Sequence, residues 1–175
     1  MLPNQSDNRP LLVGMFRDKD HAEAAYDELR SRGYTVQDIN VVMSSTTRDK
    51  YYSSDTNGLG NKALEGTGVG SAVGGVIGAI AGAIVAVGTS LVIPGLGLVI
   101  AGPLAAALAG AGAGGITGGV IGALVGLGIP EERAKIYREG IQNGEIIISV
   151  KPHSEKDLQE LSDRWKEFHA EGVAA

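Results

Sequence analysis

The sequence predicts an α+β protein: a split ferredoxin-like α/β sandwich interrupted by a long glycine-zipper α-helical hairpin. Three observations predict it. Every Asp, Glu, Lys and Arg lies outside residues 66–130, a stretch of 65 residues that holds 20 of the 27 glycines. The segments on either side carry strand-length apolar runs and helical apolar periodicity. Inside the uncharged block glycine recurs at every fourth position, and GGVIGA occurs twice, as Gly74–Ala79 and Gly118–Ala123. The resulting division is a flexible N-terminus (1–10), a β-α-β half-domain (11–43), a polar linker (44–65), the apolar hairpin (66–130) and an α-β-α half-domain (131–175).

Leu11 to Phe16 is an apolar run of strand length, and Ile39 to Met43 is rich in β-branched residues. Between them Ala22, Ala25, Tyr26 and Leu29 fall at i, i+3, i+4 and i+7, one face of a helix. Asp20 is placed to cap its start with Glu23 completing a box, and Gly33 to end it. Beyond the block, Pro130 suits a first helical turn, Glu131 and Glu132 favour its positive end, and Gly144 suits its exit. Glu145 to Val150 reads as a third strand. Ser154 with Asp157 resembles a capping box for a last helix with Leu158, Leu161, Trp165 and Phe168 on its apolar stripe. One strand of the usual four is missing from this reading; it is expected within Ser44 to Glu65 or from a partner subunit. Tyr137 and Trp165 are expected in the core.

Glycine costs about 1 kcal/mol relative to alanine inside a helix, so a glycine-rich helix needs a compensating reason. The spacing supplies one. Gly66, Gly70, Gly74, Gly78 and Gly82 form one series, and Gly102, Gly110, Gly114, Gly118, Gly122 and Gly126, with Ala106, form another. Each makes a ridge without side chains that another backbone can approach closely, as in GxxxG helix pairs. Gly70, Gly74, Gly78, Gly82, Gly110, Gly114, Gly118, Gly122 and Gly126 are therefore the expected helix-packing residues. Gly68 to Val87 would be about 30 Å long as a helix, enough to cross the hydrocarbon of a bilayer, and Pro103 to Leu127 would be longer. Thr89 to Gly97, with its Pro-Gly turn signal, would join the two, returning both flanks to one face. The eight Val and Ile residues from Val69 to Val87 contribute roughly −2.4 to −4.8 kcal/mol to insertion, so a packed pair inserts better than one helix.

Membrane lipid and sister copies are the expected partners, with the flanking domain cytoplasmic at a plasma membrane. The alternatives are a cytoplasmic soluble oligomer, cage or filament, burying the hairpins, and a membrane-anchored ligand-binding sensor whose ligand is unknown. A net charge of −5 without a basic stripe argues against nucleic acid. Absent cysteine removes disulfides, thiolate metal sites and a Cys nucleophile. MLPNQSDNRP has neither a basic n-region nor an apolar h-region, so no cleaved secretion signal is expected. Gly110, Gly112 and Gly115 match GxGxxG, but no nucleotide-binding strand precedes them. His21, His153 and His169 have no metal-ligand spacing, and the few hydroxyls of the block do not build a polar pathway for a channel. No catalytic residue, cofactor or metal is expected; the chain reads as non-enzymatic.

GNKALEG before the first zipper, LVIPGLGLVIAGP at the turn and ALVGLGIPEERAKIYREGIQNGEIIISV after the second accompany VGMFRDKDHAEAAYDELRSRGYTVQDINVVMS. Together they resemble the low-temperature-induced and general (heat-induced) stress protein family of cyanobacteria and other bacteria. The resemblance covers most of residues 11–150, with GLGIPEERAKIY its most specific part. It implies a bacterial, stress-linked context and adds no chemistry.

Overall fold

The apolar runs at the two ends of the chain become neighbours in one antiparallel sheet. The computed structural model describes residues 10–52, 79–86, 91–93, 97–106, 119–126 and 128–175. In chain order these form β1 (Leu12–Phe16), α1 (Lys19–Ser31), β2 (Ile39–Ser44), α2 (Ala79–Ala86), β3 (Leu91–Ile93), β4 (Leu98–Ala101), α3 (Gly119–Gly126), α4 (Glu131–Gln142), β5 (Ile146–Val150), α5 (Glu155–Glu167) and β6 (Glu171–Ala174). The six strands lie in the order β3-β4-β2-β5-β1-β6, each neighbouring pair antiparallel. Strand β5 sits between β1 and β2, so β1-α1-β2 is a split β-α-β unit.

Side chains alternate across the sheet and feed two cores. Leu12, Phe16, Ile39, Val41, Met43, Val99, Ala101, Ile146, Ile148 and Val150 meet α1, α2 and α5 on one face. Val13, Met15, Val42, Leu98, Ile100 and Ile147 meet α3 and α4 on the other. Strands covered on both sides read as unbroken apolar runs, which is why β1, β2 and β5 were legible by length rather than by alternation. Helices thus cover both faces, whereas a ferredoxin-like sandwich carries one helical layer.

The caps follow the sequence closely. Ser154 accepts from Asp157 N at 3.1 Å at the start of α5. Gly33 has φ +90° and lets Tyr34 N donate to Leu29 O at 3.1 Å, closing α1. Gly144, at φ +94°, does the same for α4, with Glu145 N donating to Gly140 O at 2.9 Å. Helix α1 starts earlier than expected: Asp18, not Asp20, is its cap and accepts from His21 N at 2.9 Å. Trp165 fills the core as expected, its ring edge-on to Phe16 at 5.7 Å. It lies over Gly14, where a Cβ would come within 2.6 Å of it. Tyr137 is buried as well and donates to Gly172 O at 2.7 Å.

Three expectations are corrected. Of the segment 44–65, residues 45–52 are helical rather than strand or linker and 53–65 lie outside the described residues; the additional strands β3 and β4 come from the uncharged block. The segment read as the turn of a helical hairpin is therefore a β-hairpin, Leu91↔Ile100 to Ile93↔Leu98, joined to β2 from Val41↔Ala101 to Ser44↔Leu98. The run at 98–101 takes the edge of β2 and the run at 91–93 pairs with it in turn, which gives partners to the backbone groups of both. Finally, the chain continues past α5 into β6 along β1.

Gly102 lets the chain leave β4. Its φ is +101°, and a Cβ there would lie 2.2 Å from Ile39 O. The residues that follow cross the end of β2, where Leu104 N donates to buried Asn40 Oδ1 at 2.8 Å and Asn40 Nδ2 reaches Ser149 Oγ at 3.3 Å. Leu104 and Ala105 then enter the second core.

Candidate association surface

The described parts of the two zipper series are helices α2 and α3, which do not pair with each other, and Gly102 and Ala106, of which Gly102 lies at the exit of β4 with φ +101° and is not a helix-ridge residue as expected. Helix α2 lies against α1 in the first core, while α3 lies against α4 in the second. The sheet separates them. Of the nine expected packing glycines, Gly82, Gly122 and Gly126 belong to these helices; Gly70, Gly74, Gly78, Gly110, Gly114 and Gly118 lie outside the described residues.

The orientation of each helix follows from its periodicity. In α2, Ile80, Ala83 and Ile84 share one face and are buried in the body. Gly82 is 200° from Ile80 at about 100° per residue, so it lies on the opposite face. In α3, Leu124 is buried and Val120 and Ile121 pack beside it. Gly122 and Gly126 each stand two residues from Leu124, again opposite the buried face. A Cβ built at Gly82, Gly122 or Gly126 meets no described atom within 4 Å. Gly82, Gly122 and Gly126 thus turn away from the buried faces of their helices, Gly82 and Gly122 half-buried and Gly126 exposed, and the bulky residues, not these glycines, bind the body. Val125 on α3 and Val92 on β3 are 42% and 44% exposed.

Helix α2 is held at its start by a long-range contact. Glu23, on α1, accepts from Ile80 N at 3.1 Å through Oε2, a carboxylate at the positive end of an uncharged helix. The second oxygen, Oε1, is buried with no partner among the described residues, as are the hydroxyls of Tyr26 and Tyr52. Burial raises the Glu23 carboxyl above its ordinary range, while the Ile80 N–H and Lys19 pull it back. Tyr26 is pushed up to about 12 by burial, and Tyr52 further, by burial and then by the Glu23 charge. The Tyr52 hydroxyl faces that carboxylate without meeting hydrogen-bond geometry. Lys19 lies with Nζ 5.2 Å from the Tyr52 ring centre and donates to Tyr51 O at 3.3 Å. Glu23 was read as part of a cap for its own helix; nothing local in the sequence marks it as the cap of a helix 57 residues away.

Other polar features join α1 and the residues after it to α5 and its flanks. Tyr34 donates to the Asp157 carboxylate and stacks on His153 at 4.0 Å; burial and that carboxylate push its hydroxyl up to about 12. His21 pairs with Asp18 at 2.7 Å, and its ring meets that of His169 at 5.0 Å, so these two are not isolated as the sequence implied. No group of three or more His, Cys, Asp or Glu among the described residues could hold a metal ion. A cavity of about 350 Å³ opens between Asn40, Pro103, Lys151 and His153. Another of about 210 Å³ lies by Ile129, Arg133 and Tyr137. Neither includes a predicted packing residue. No helix among the described residues is long and apolar enough to cross a membrane. No family model, curated protein or solved structure matches the chain.

Proposed function

We propose that this is a non-enzymatic, stress-linked protein that associates with the bacterial plasma membrane and with sister copies through its uncharged block, its α/β body remaining on the cytoplasmic side. One observation carries this reading: Gly82, Gly122 and Gly126 lie opposite the bulky faces by which their helices bind the body, with room for a side chain at each. A ridge so placed offers a second backbone the close approach that glycine at four-residue spacing permits. The stress link rests on the resemblance alone. Because β4 pairs with β2, residues 98–101 stay with the sheet of the flanking segments. The block then enters lipid and leaves it from one face of the bilayer; a hairpin with its Pro94-Gly95 turn on the far side would require β4 to leave β2.

A second reading, a soluble oligomer burying the ridges between copies, is favoured by the burial of Ile80, Ala83, Ile84 and Leu124 within the body's own cores. Carbonate-resistant pelleting of the intact chain separates the two: retention in the membrane pellet supports the first, and a soluble assembly of defined size the second. In either setting Gly82→Leu and Gly122→Leu fill the ridges with branched side chains, and crosslinked oligomers disappear while the body keeps its circular dichroism. Unchanged oligomer size in both variants refutes association through the ridges.

A further inference from the structure

We propose that Glu23 is a protonation-dependent latch that docks helix α2, and with it the first glycine ridge, on the body. The geometry that carries it is the hydrogen bond from Ile80 N to Glu23 Oε2, with Oε1 and the Tyr52 hydroxyl both buried beside it and without a hydrogen-bond partner among the described residues. Helix α2 carries no acidic residue in its first turn, so the carboxyl supplied by α1 is the group that meets its N-terminal donors. A neutral carboxyl fits this pocket without a buried charge: one oxygen accepts from Ile80 while the hydroxyl is turned to the vacant acceptor of Tyr52. An ionised carboxylate keeps the Ile80 bond but places a charge between Tyr26, Tyr52 and the apolar face of α2.

The surroundings set the direction. The Ile80 N–H and, on α1, Lys19 favour the ionised form and Asp27 opposes it; in the helical segment 45–52 the Tyr52 hydroxyl also favours the ionised form, and α2 presents no charge. Burial outweighs Lys19, so the docked state holds the proton more tightly than a released state in which Glu23 is in water. Docking is strongest below the ordinary glutamate range, about 4.3, and weakens as pH rises through the raised value of the docked state. Release would uncover Ile80, Ala83 and Ile84 and leave α2 apolar on every side. That this delivers the helix to lipid or to a sister copy rests on the association reading; the latch itself does not.

Amide exchange of residues 80–86 in the full chain, corrected for the intrinsic rate and referenced to α4, tests the latch between pH 5 and 8. Wild-type protection of α2 is expected to fall as pH rises. Glu23→Gln, which keeps an acceptor and removes the charge, is expected to abolish that dependence and keep the high protection. Glu23→Ala is expected to lower protection about fivefold at pH 5, the ordinary effect of a lost cap. A wild-type profile that is flat with pH, or a Glu23→Gln variant that retains the wild-type slope, overturns the proposal. Slope present with no crosslinked oligomer at any pH refutes the association reading and supports the latch.

Discussion

At the β6 edge of the sheet, Arg17 reaches Glu171 at 2.6 Å, and above it Arg32 ties α1 to Asp157 and Glu160 of α5 at 3.3 and 3.0 Å. The β3 end is built from uncharged elements: β3, β4, α2 and α3 contain no Asp, Glu, Lys or Arg. The two ends of one sheet therefore meet their surroundings by different means. One keeps its exposed flank wet with paired charges. The other offers a three-residue edge strand with Val92 exposed and helices whose glycines lie opposite their buried faces. Proteins usually blunt a sheet edge with charge or proline; here the β3 edge is short and uncharged, which suits an apolar neighbour better than water.

The contrast is broken most severely by Trp165→Ala. The side chain is fully buried over Gly14 beside Phe16, so the charged end should lose about 3–5 kcal/mol, read as a lower urea midpoint for the whole sheet. Gly102→Ala tests the uncharged end. A forced left-handed backbone and a clash with Ile39 O should cost roughly 1–3 kcal/mol and show as faster amide exchange in β3 and β4 than in β1. If β1 and β4 lose protection equally, the two ends do not behave as separate units.

Smaller effects sharpen the comparison. Asp18→Ala removes the α1 cap and should cost about 1 kcal/mol at neutral pH. The Asp18 carboxyl is held below its ordinary value, first by the His21 N–H, so its contribution is present above the unfolded value and lost as pH falls through the lowered one. The wild type and the variant should therefore converge in denaturant melts below about pH 4. Lys135→Ala breaks an exposed pair with Glu131 at 2.9 Å and should shift stability by less than about 0.5 kcal/mol, which would mark exposed ion pairs on α4 as solubility features.

Legibility in the sequence follows the same division. In the flanks, polar positions contrast with apolar ones, so α1, α4, α5, β1, β2 and β5 emerge with boundaries shifted by one or two residues. Within the block nothing is charged, period carries little information, and LVI at 91–93 and LVIA at 98–101 fall in the segment read as the turn between two helices. The signal that could have found them is the pair of β-branched runs around Pro94-Gly95, which reads as a hairpin once helix is not assumed. Strand β6 escaped because Glu171–Ala174 is short and nearly without large apolar side chains. The glycine spacing marked the small-residue ridges, but which way Gly82 and Gly122 turn depends on Ile80 and Leu124 finding the sheet, a tertiary preference. The Glu23 contact with Ile80 was equally out of reach.

Strand β5, which completes the middle of the sheet, comes from residues 146–150, after the whole uncharged block. During synthesis β1 and β2 leave the ribosome with the slot between them empty, and the block follows before that slot can be filled. A nascent chain thus presents its uncharged third while its own scaffold is unfinished, the stage at which exposed apolar surface is most prone to aggregate.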